Sequence, residues 1–176
     1  GEFMQMEDVY RIDQGIERYM TKTQKKTADF MEGCMELGGL LGDWQANEII
    51  ELKKYGHALG MAFQITDDIM DYRETAETTG KPVGNDLREG LLTYPLLSIV
   101  NDGNKDKLLE DIKGLNNGGN EQDIIDYVIA QGGIDNTLAV ADKYCKDALA
   151  ALAAVRDFPG KEFLVMAVEN LADRKV

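Results

Sequence analysis

The sequence predicts an all-α protein, a helical bundle, and three observations support this fold class. Apolar residues recur at three- and four-residue spacing along most of the chain, which is the spacing of one helix face. The intervening stretches are rich in Gly, Pro and Asn, as loops are. No segment shows the apolar alternation that predicts a β-strand. The chain has 176 residues, 44% of them apolar, which is enough for one domain with a hydrophobic core.

The first part of the chain contains two long helical patterns. One extends over about residues 7–41, and the Gly38-Gly39 pair predicts an interruption in it. The other extends over about residues 47–72 and carries a single apolar stripe. The polar stretch 73–85 follows, and its glycines and proline predict a loop.

The remaining predicted helices are shorter. Asp86 and Glu89 have the spacing of a capping pair, so we expect a helix to begin there. That helix should be interrupted near Pro95 and end by residues 101–103. A short helix is then predicted to end at Leu115. Three more helices are predicted over about 121–131, 135–155 and 161–174.

The composition excludes several classes of function. The chain has 32 acidic and 19 basic side chains, a net charge of −13, which argues against nucleic-acid binding because phosphates require a basic surface. Cys34 and Cys145 have no metal-binding or redox spacing, as in proteins of a reducing cytosol. The longest apolar run, Ala148–Val155, is too short to cross a bilayer, and no signal-peptide pattern opens the chain. We therefore expect a cytoplasmic protein that is not membrane-spanning.

Three carboxylates lie within five positions of the second helix, in the otherwise apolar stretch FQITDDIMDY. Residues three and four apart share a helix face, so Asp67, Asp68 and Asp71 should lie along one stripe with Gln64. Burying such like charges costs several kcal/mol unless a cation compensates. Mg²⁺ prefers carboxylate oxygens and keeps positions for phosphate oxygens. The stripe is therefore either a Mg²⁺ platform for a phosphorylated ligand or an acidic, solvated helix face, and by itself it slightly favours the second.

Neighbouring residues favour the Mg²⁺ platform. Gly56 and Gly60 precede the aspartates, and since a glycine costs about 1 kcal/mol inside a helix, we expect them to allow close packing against another helix. The following loop, GKPVGNDLREG, carries the basic side chain of Lys81. Earlier in the chain, KKT at 25–27 places a lysine beside a hydroxyl, and both groups bind phosphate oxygens. Together these residues indicate a diphosphate site.

The same stretches resemble a known family. FQITDDIMDY followed by TGKPVGNDLREG is similar to the second aspartate-rich region of the trans-type polyprenyl diphosphate synthases. Glu2 and Gln5, the KKT stretch and the QGGID turn at 131–135 also resemble that family, in the same order. The similarity covers essentially the whole chain, and its most specific part lies between Gly60 and Pro95.

This resemblance implies an isoprenoid-synthase type of helical bundle and a prenyltransferase. Such an enzyme condenses isopentenyl diphosphate with an allylic diphosphate to make a linear polyprenyl diphosphate. Mg²⁺ draws off the allylic diphosphate, the double bond of isopentenyl diphosphate attacks the resulting cation, and a proton is lost. By the same resemblance Asp67, Asp68 and Asp71 bind Mg²⁺, with Asp67 the most direct ligand.

The resemblance also implies residues that contact the substrate diphosphates or line the site. Several have a structural alternative: Lys26 as a surface lysine, Gln64 as a buried helix-to-helix hydrogen bond, and Lys81 as a loop charge. His57, the only histidine, has no partner at ligand spacing, and we interpret it as a packing or surface residue. The implied substrate-binding residues are Lys26, Thr27, Phe63, Gln64 and Lys81, and all but Phe63 are also assigned to catalysis.

Two departures from the family pattern bear on activity. Many members carry a lysine after the REG turn, where this chain has Leu91. The family also has an earlier aspartate-rich motif on a facing helix, and this sequence contains only the later one. We therefore expect residues 1–176 to be the C-terminal portion of a single all-α polyprenyl synthase domain. Such a fragment should be inactive alone and should self-associate or form a homodimer through its exposed apolar helix faces.

Other functions remain open at this point. A class I terpene cyclase also uses aspartates and Mg²⁺, although the GKPVGND loop favours the chain-elongating synthase, and a product assay separates the two. A non-catalytic helical partner subunit of a prenyl synthase would bind no diphosphate at Asp67. A calcium-binding module is disfavoured because the D-x-[DN]-x-[DN]-G loop pattern is absent from the sequence.

Overall fold

The computed structural model describes residues 1–73 and 84–173. Within these residues it contains helices and no strand, so the predicted all-α fold class is confirmed. A π-helical turn at Gln24–Ala28 and a 3₁₀ turn at Leu115–Asn117 accompany the α-helices. The α-helices are α1 Glu2–Glu7, α2 Gly15–Thr23, α3 Asp29–Leu41, α4 Ala46–Arg73, α5 Asn85–Arg88, α6 Tyr94–Leu97, α7 Lys105–Gly114, α8 Glu121–Ala130, α9 Gly133–Ala153 and α10 Lys161–Asp173.

The chain divides into two compact units. Unit 1 comprises Gly1–Lys22 and Asp67–Leu138, and unit 2 comprises Thr23–Thr66 and Ala139–Val176. Two long helices, α4 and α9, therefore contribute residues to both units. None of the helices that the structure describes is long and apolar enough to cross a membrane.

Unit 2 has an apolar core built on α4, α9 and α10. Tyr55 is fully buried there, and its hydroxyl donates a hydrogen bond to the Leu164 carbonyl at 2.9 Å. Other buried members of this core are Leu52, Ala58, Ala62, Cys145, Ala148, Leu152, Val155 and Val168. This burial is the main source of the unit's stability, at about 1.5–3 kcal/mol for each large side chain.

Glycines set the close packing of α4 against the segment before it. A Cβ atom at Gly60 would lie 2.6 Å from the Ala28 Cα, and one at Gly56 would lie 2.7 Å from the Met31 carbonyl oxygen. No side chain fits at either distance without a shift of backbone. The prediction that these two glycines allow close helix packing is therefore confirmed.

The amino-terminal helices differ from the prediction. A helix over about residues 7–41 with its interruption at Gly38-Gly39 is wrong, because α3 continues through both glycines and the break lies at residues 8–14. The buried Asp8 carboxylate explains the break, since it pairs with Arg18 Nε at 2.7 Å and with Arg11 at 3.5 Å. Gly39 instead serves packing, because a Cβ atom there would lie 2.9 Å from Ile49 Cγ1.

The segment that begins at residue 84 also differs from the prediction. The expected helix from Asp86 to Pro95 and beyond is two short helices, α5 and α6, and Pro95 lies in the first turn of α6. Asp86 does not cap α5, because the N-cap residue is Gly84, which has a φ of 72°. The later helices begin and end within two residues of their predicted bounds.

Candidate functional site

The three aspartates of α4 lie in three different environments. Asp67 is exposed, Asp71 is half-buried, and Asp68 is only 4% exposed. The hydroxyl of the buried Tyr19 donates a short hydrogen bond to Asp68 Oδ2. The predicted stripe therefore has one carboxylate open to solvent, one partly covered and one held inside unit 1.

Asp71 is fixed by the start of α5. Its Oδ1 accepts the backbone N–H of Asn85 and its Oδ2 accepts that of Asp86, both at 3.1 Å. The N–H of Gly84 also donates to the Asp71 carbonyl at 3.1 Å. The first N–H groups of a helix have no partner within it, and Asp71 supplies one. Burial raises the pKa of Asp71, and the two backbone N–H groups oppose that rise.

Asp86 is a fourth carboxylate at this place. Its pKa is raised from 3.8 to about 7, mainly by burial and also by the negative charges of Asp71, Asp68 and Asp67. The sequence interpretation treated Asp86 as a helix cap and missed it as part of the cluster. The signal available was its position in the GKPVGND loop, 15 residues after Asp71.

A buried tyrosine and lysine support the cluster from α2. The Tyr19 ring packs edge-on against Tyr94, with ring centroids 5.5 Å apart. Lys22 is 8% exposed, its Nζ lies 5.8 Å from the centre of the Tyr19 ring, and it donates to Gln14 Oε1 at 3.1 Å. Asp68 is thus held by a tyrosine that itself lies beside a buried cation. Sequence reasoning missed both residues, because Tyr19 and Asp68 are 49 positions apart and no local spacing links them.

The four carboxylates fit Mg²⁺ in the chemistry of their oxygen donors and in their negative charge. The other three carboxylates oppose the ionisation of Asp86, and a divalent cation would offset that opposition. Among the described residues, the oxygens of these four carboxylates do not converge on one point. The side chains whose metal-ligand atoms do converge there belong to a different cluster. Mg²⁺ is usually held by one or two carboxylates with water and phosphate oxygens completing its shell. The exposed Asp67, beside Asp71, suits that mode of binding.

The predicted diphosphate-binding residues before Asp67 belong to unit 2. Thr27 Oγ1 donates to Gln64 Oε1 at 3.0 Å, which joins the KKT segment to α4. Lys26 and Thr27 are half-buried in the π-helical turn, and Phe63 is 39% exposed. Single π-helical turns occur preferentially at functional sites. The structure thus brings Thr27 and Gln64 together, as the helix-to-helix alternative for Gln64 also expects.

Lys81, the remaining predicted site residue, lies outside the described residues. Its assignment as a diphosphate ligand therefore stays a prediction from the sequence.

Comparison with known proteins assigns the chain to a family. Octaprenyl diphosphate synthase of Escherichia coli (strain K12) is 34% identical over 169 residues, which cover 94% of this chain and 52% of that protein. Heptaprenyl diphosphate synthase component 2 of Geobacillus stearothermophilus is 32% identical over 149 residues, 85% of this chain and 47% of that protein. The chain spans about half the length of these relatives.

A solved structure has the same fold. It is a polyprenyl synthase from Caulobacter crescentus CB15 complexed with calcium and isoprenyl diphosphate, and the TM-score is 0.86 at 28% identity. The match covers 99% of this chain and 55% of that one. The model of the polyprenyl synthetase family matches residues 1–131, well over half of the sequence. The chain therefore belongs to the polyprenyl synthetase family.

Proposed function

We propose that this chain supplies the second aspartate-rich site of a prenyltransferase. The longer enzyme would condense isopentenyl diphosphate with an allylic diphosphate to a linear polyprenyl diphosphate. Family membership supports the reaction class. The observation that carries the proposal is the carboxylate cluster of Asp67, Asp68, Asp71 and Asp86 at the start of α5.

Mg²⁺ is the proposed cofactor of this cluster, with Asp67 and Asp71 as the residues that would hold it. When bound, the ion supplies the positive charge that stabilises a departing diphosphate. A divalent cation and an isoprenyl diphosphate are named for the Caulobacter crescentus structure, which supports this choice. The carboxylate chemistry and the raised pKa of Asp86 support it independently.

The protein's own residues would position these ligands. Tyr19 holds the Asp68 carboxylate, and the first N–H groups of α5 hold that of Asp71, so neither needs to reorganise on binding. In unit 2, the Lys26 ammonium is the proposed donor to diphosphate oxygens. The Thr27 hydroxyl has one proton, which it donates to Gln64 Oε1 in this structure, so it would donate to a diphosphate oxygen in place of that bond. Lys81 completes the proposed set from the sequence.

A homodimer is the proposed state of the longer enzyme, and exposed apolar side chains on α3 support it. Its proposed cytoplasmic location rests on the sequence alone. Phe30, Leu37 and Leu41 are 74%, 56% and 78% exposed. Their spacing places them along one side of the helix. A non-catalytic partner subunit is the second candidate, because the name of the Geobacillus stearothermophilus relative makes it one component of a synthase.

Binding of inorganic diphosphate in the presence of Mg²⁺ tests the proposal on the chain as it stands. Calorimetry should detect Mg²⁺-dependent binding, weakened at least about tenfold by Asp67→Asn, the scale of one lost charge-assisted contact. Asp102→Asn is the control, since Asp102 is 99% exposed in the same unit. No Mg²⁺-dependent binding, or equal binding by Asp67→Asn, would favour the non-catalytic partner.

Turnover gives a second test of the same residue. In the longer enzyme, Asp67→Ala should reduce turnover by about 10²-fold or more, as loss of one preorganised electrostatic contact does. Near-normal turnover would contradict the metal assignment. Residues 1–176 alone should show no prenyl transfer, because the proposed mechanism also needs the family's earlier aspartate-rich motif, which this sequence does not contain. Synthesis of polyprenyl diphosphate by the purified chain would contradict the two-motif mechanism.

A further inference from the structure

Unit 2 contains a convergent set of metal-ligand side chains that the prenyl-transfer site does not use. Asp29 and Glu32 on α3 and His57 on α4 each offer one ligand atom, and the three atoms lie within 4.8 Å of one another. We propose that these three residues bind a divalent transition-metal ion such as Zn²⁺. This would be a second metal site, chemically different from the carboxylate cluster of unit 1.

The backbone builds this set from two helices. Asp29 and Glu32 are three apart on α3 and so share a helix face. On α4, a Cβ atom at Gly56 would lie 2.9 Å from the Glu32 Cα, so the two backbones are in contact there. His57 follows directly in sequence, and its Nδ1 lies 3.5 Å from Glu32 Oε2. The close approach at Gly56 thus places the imidazole against the acidic face of α3.

The donor atoms select the kind of metal. One imidazole nitrogen with two carboxylate oxygens suits Zn²⁺, Co²⁺ or Ni²⁺, whereas Mg²⁺ and Ca²⁺ prefer oxygen donors alone. Three protein ligands leave a position for water or a further ligand. Asp29 is exposed, and the Glu32 and His57 side chains are 31% and 32% exposed, so an ion can enter from solvent.

Neighbouring charges leave the ligand atoms available. Lys53 Nζ lies 2.9 Å from Glu36 and 3.6 Å from Glu32 Oε1, so its shorter contact is with Glu36. The other Glu32 oxygen, Oε2, is the one that faces His57. Gln24 donates to Asp29 Oδ1 at 3.1 Å, which orients that carboxylate. Hydrogen bonds from neighbouring side chains to the ligand groups are common at metal sites.

The proposed site opens on a cavity. Glu32, His57, Lys53, Tyr144 and Asp147 line a concavity of about 660 Å³. The Tyr144 ring lies 6.5 Å from the His57 ring. Through this cavity, solvent and dissolved ions reach the Glu32 and His57 side chains.

The single histidine makes the test direct. His57 is the only histidine in the chain, so in a protein without a histidine tag every imidazole NMR signal belongs to it. Zn²⁺ is titrated in excess Mg²⁺, which occupies the oxygen-only sites. We expect the His57 ring nitrogens to shift and to saturate at one Zn²⁺ per chain. Unchanged His57 signals at saturating Zn²⁺ would overturn the proposal.

Variants establish the ligand set. Asp29→Asn, Glu32→Gln and His57→Gln should each weaken Zn²⁺ binding at least about tenfold, since even changes to groups that only hydrogen-bond to a metal ligand have effects of that size. Asp157→Asn is the matched control, because Asp157 is fully exposed in the same unit, and it should bind as the unaltered chain does. Equal binding by His57→Gln, or equal loss in Asp157→Asn, would overturn the assignment. Circular dichroism of each variant separates loss of a ligand from loss of fold.

Discussion

The two ends of α4 bury different kinds of side chain. Residues 46–66, in unit 2, bury Tyr55, Ala58 and Ala62 in an apolar core, and the one polar atom of Tyr55 has a carbonyl partner. Residues 67–73, in unit 1, carry Asp68 and Asp71 into partly or fully buried positions. Both ends follow the same helical periodicity. In the first, burial stabilises the chain, and in the second it opposes ionisation and so favours a cation.

The difference is one of electrostatics rather than helix geometry. Moving apolar surface out of water stabilises the folded chain by about 25 cal/mol per Å², whether or not a ligand is bound. Moving a carboxylate out of water is unfavourable until a hydrogen bond or a cation compensates it. Tyr19 and the start of α5 compensate Asp68 and Asp71, while the pKa of Asp86 stays raised to about 7. The buried carboxylates at the acidic end of α4 therefore lower stability, and the proposed ligand would offset that cost.

The largest expected effect removes apolar burial at the first end of α4. Tyr55→Ala should lower the free energy of unfolding by about 3–5 kcal/mol, as aromatic-to-alanine changes in cores do. Both the ring packing and the hydrogen bond to Leu164 would be lost. Urea denaturation measures the change. Ile50→Ala, 53% exposed on the same helix, should change stability by less than about 0.5 kcal/mol. Similar losses for the two would contradict the assigned core.

The next effect concerns the close approach of helices. Gly60→Ala should destabilise unit 2 by about 1–3 kcal/mol, because the added Cβ would meet the Ala28 backbone at 2.6 Å. Gly33→Ala on α3 should do the reverse and stabilise by up to about 1 kcal/mol, since nothing lies within 4 Å and alanine favours the helix. Thermal unfolding of the two variants compares them. A stabilising Gly60→Ala would show that the approach is looser than described.

At the acidic end, Tyr19→Phe isolates one hydrogen bond. The ring would keep its contact with Tyr94, but buried Asp68 would lose its hydroxyl donor. We expect the free energy of unfolding to fall by about 1.5–3 kcal/mol at neutral pH, as for other hydrogen bonds to charged groups. Urea denaturation at pH 7 measures the change, and an unaltered free energy of unfolding would contradict a stabilising role for this hydrogen bond.

Sequence periodicity predicted the long, regular elements well. Helix α4 was expected at about 47–72 and lies at Ala46–Arg73, because its apolar stripe and its loop signals are local. The break at residues 8–14 was not predicted, since it depends on the pairing of Asp8 with Arg18 inside unit 1. Periodicity reports which face a residue occupies, and it carries no information about a buried carboxylate's distant partner.

The same limit applies to the candidate sites. Asp67, Asp68 and Asp71 could be found because they lie on one helix. Tyr19, which holds Asp68, comes from another helix, and its role depends on tertiary contact alone. His57 was interpreted as a packing or surface residue because no other metal-ligand residue lies at local spacing from it. The two carboxylates whose oxygens lie near its ring, those of Asp29 and Glu32, belong to another helix, α3.

The smallest expected effect is a pH dependence at Asp86. An acid whose pKa is higher in the folded chain than in the unfolded chain contributes stability below its unfolded pKa, and that stability is lost as pH rises through the folded pKa. For Asp86 these limits are 3.8 and about 7. In the chain without divalent metal, Asp86→Asn should therefore match the unaltered chain below pH 4. Above pH 7 it should be more stable, by about 1 kcal/mol once solvent screening of this half-buried group is allowed for.

Urea denaturation in a chelator, from pH 4 to pH 8, measures this difference. Asp102→Asn is the control, because Lys105 lowers the pKa of Asp102 and its replacement should give no stabilisation at high pH. Mg²⁺ should then narrow the gap between Asp86→Asn and the unaltered chain, since a bound cation offsets the carboxylate repulsion that the substitution removes. A gap that is absent at pH 8 would contradict the raised pKa. A gap that Mg²⁺ leaves unchanged would show that Asp86 is not part of the proposed metal site on α4.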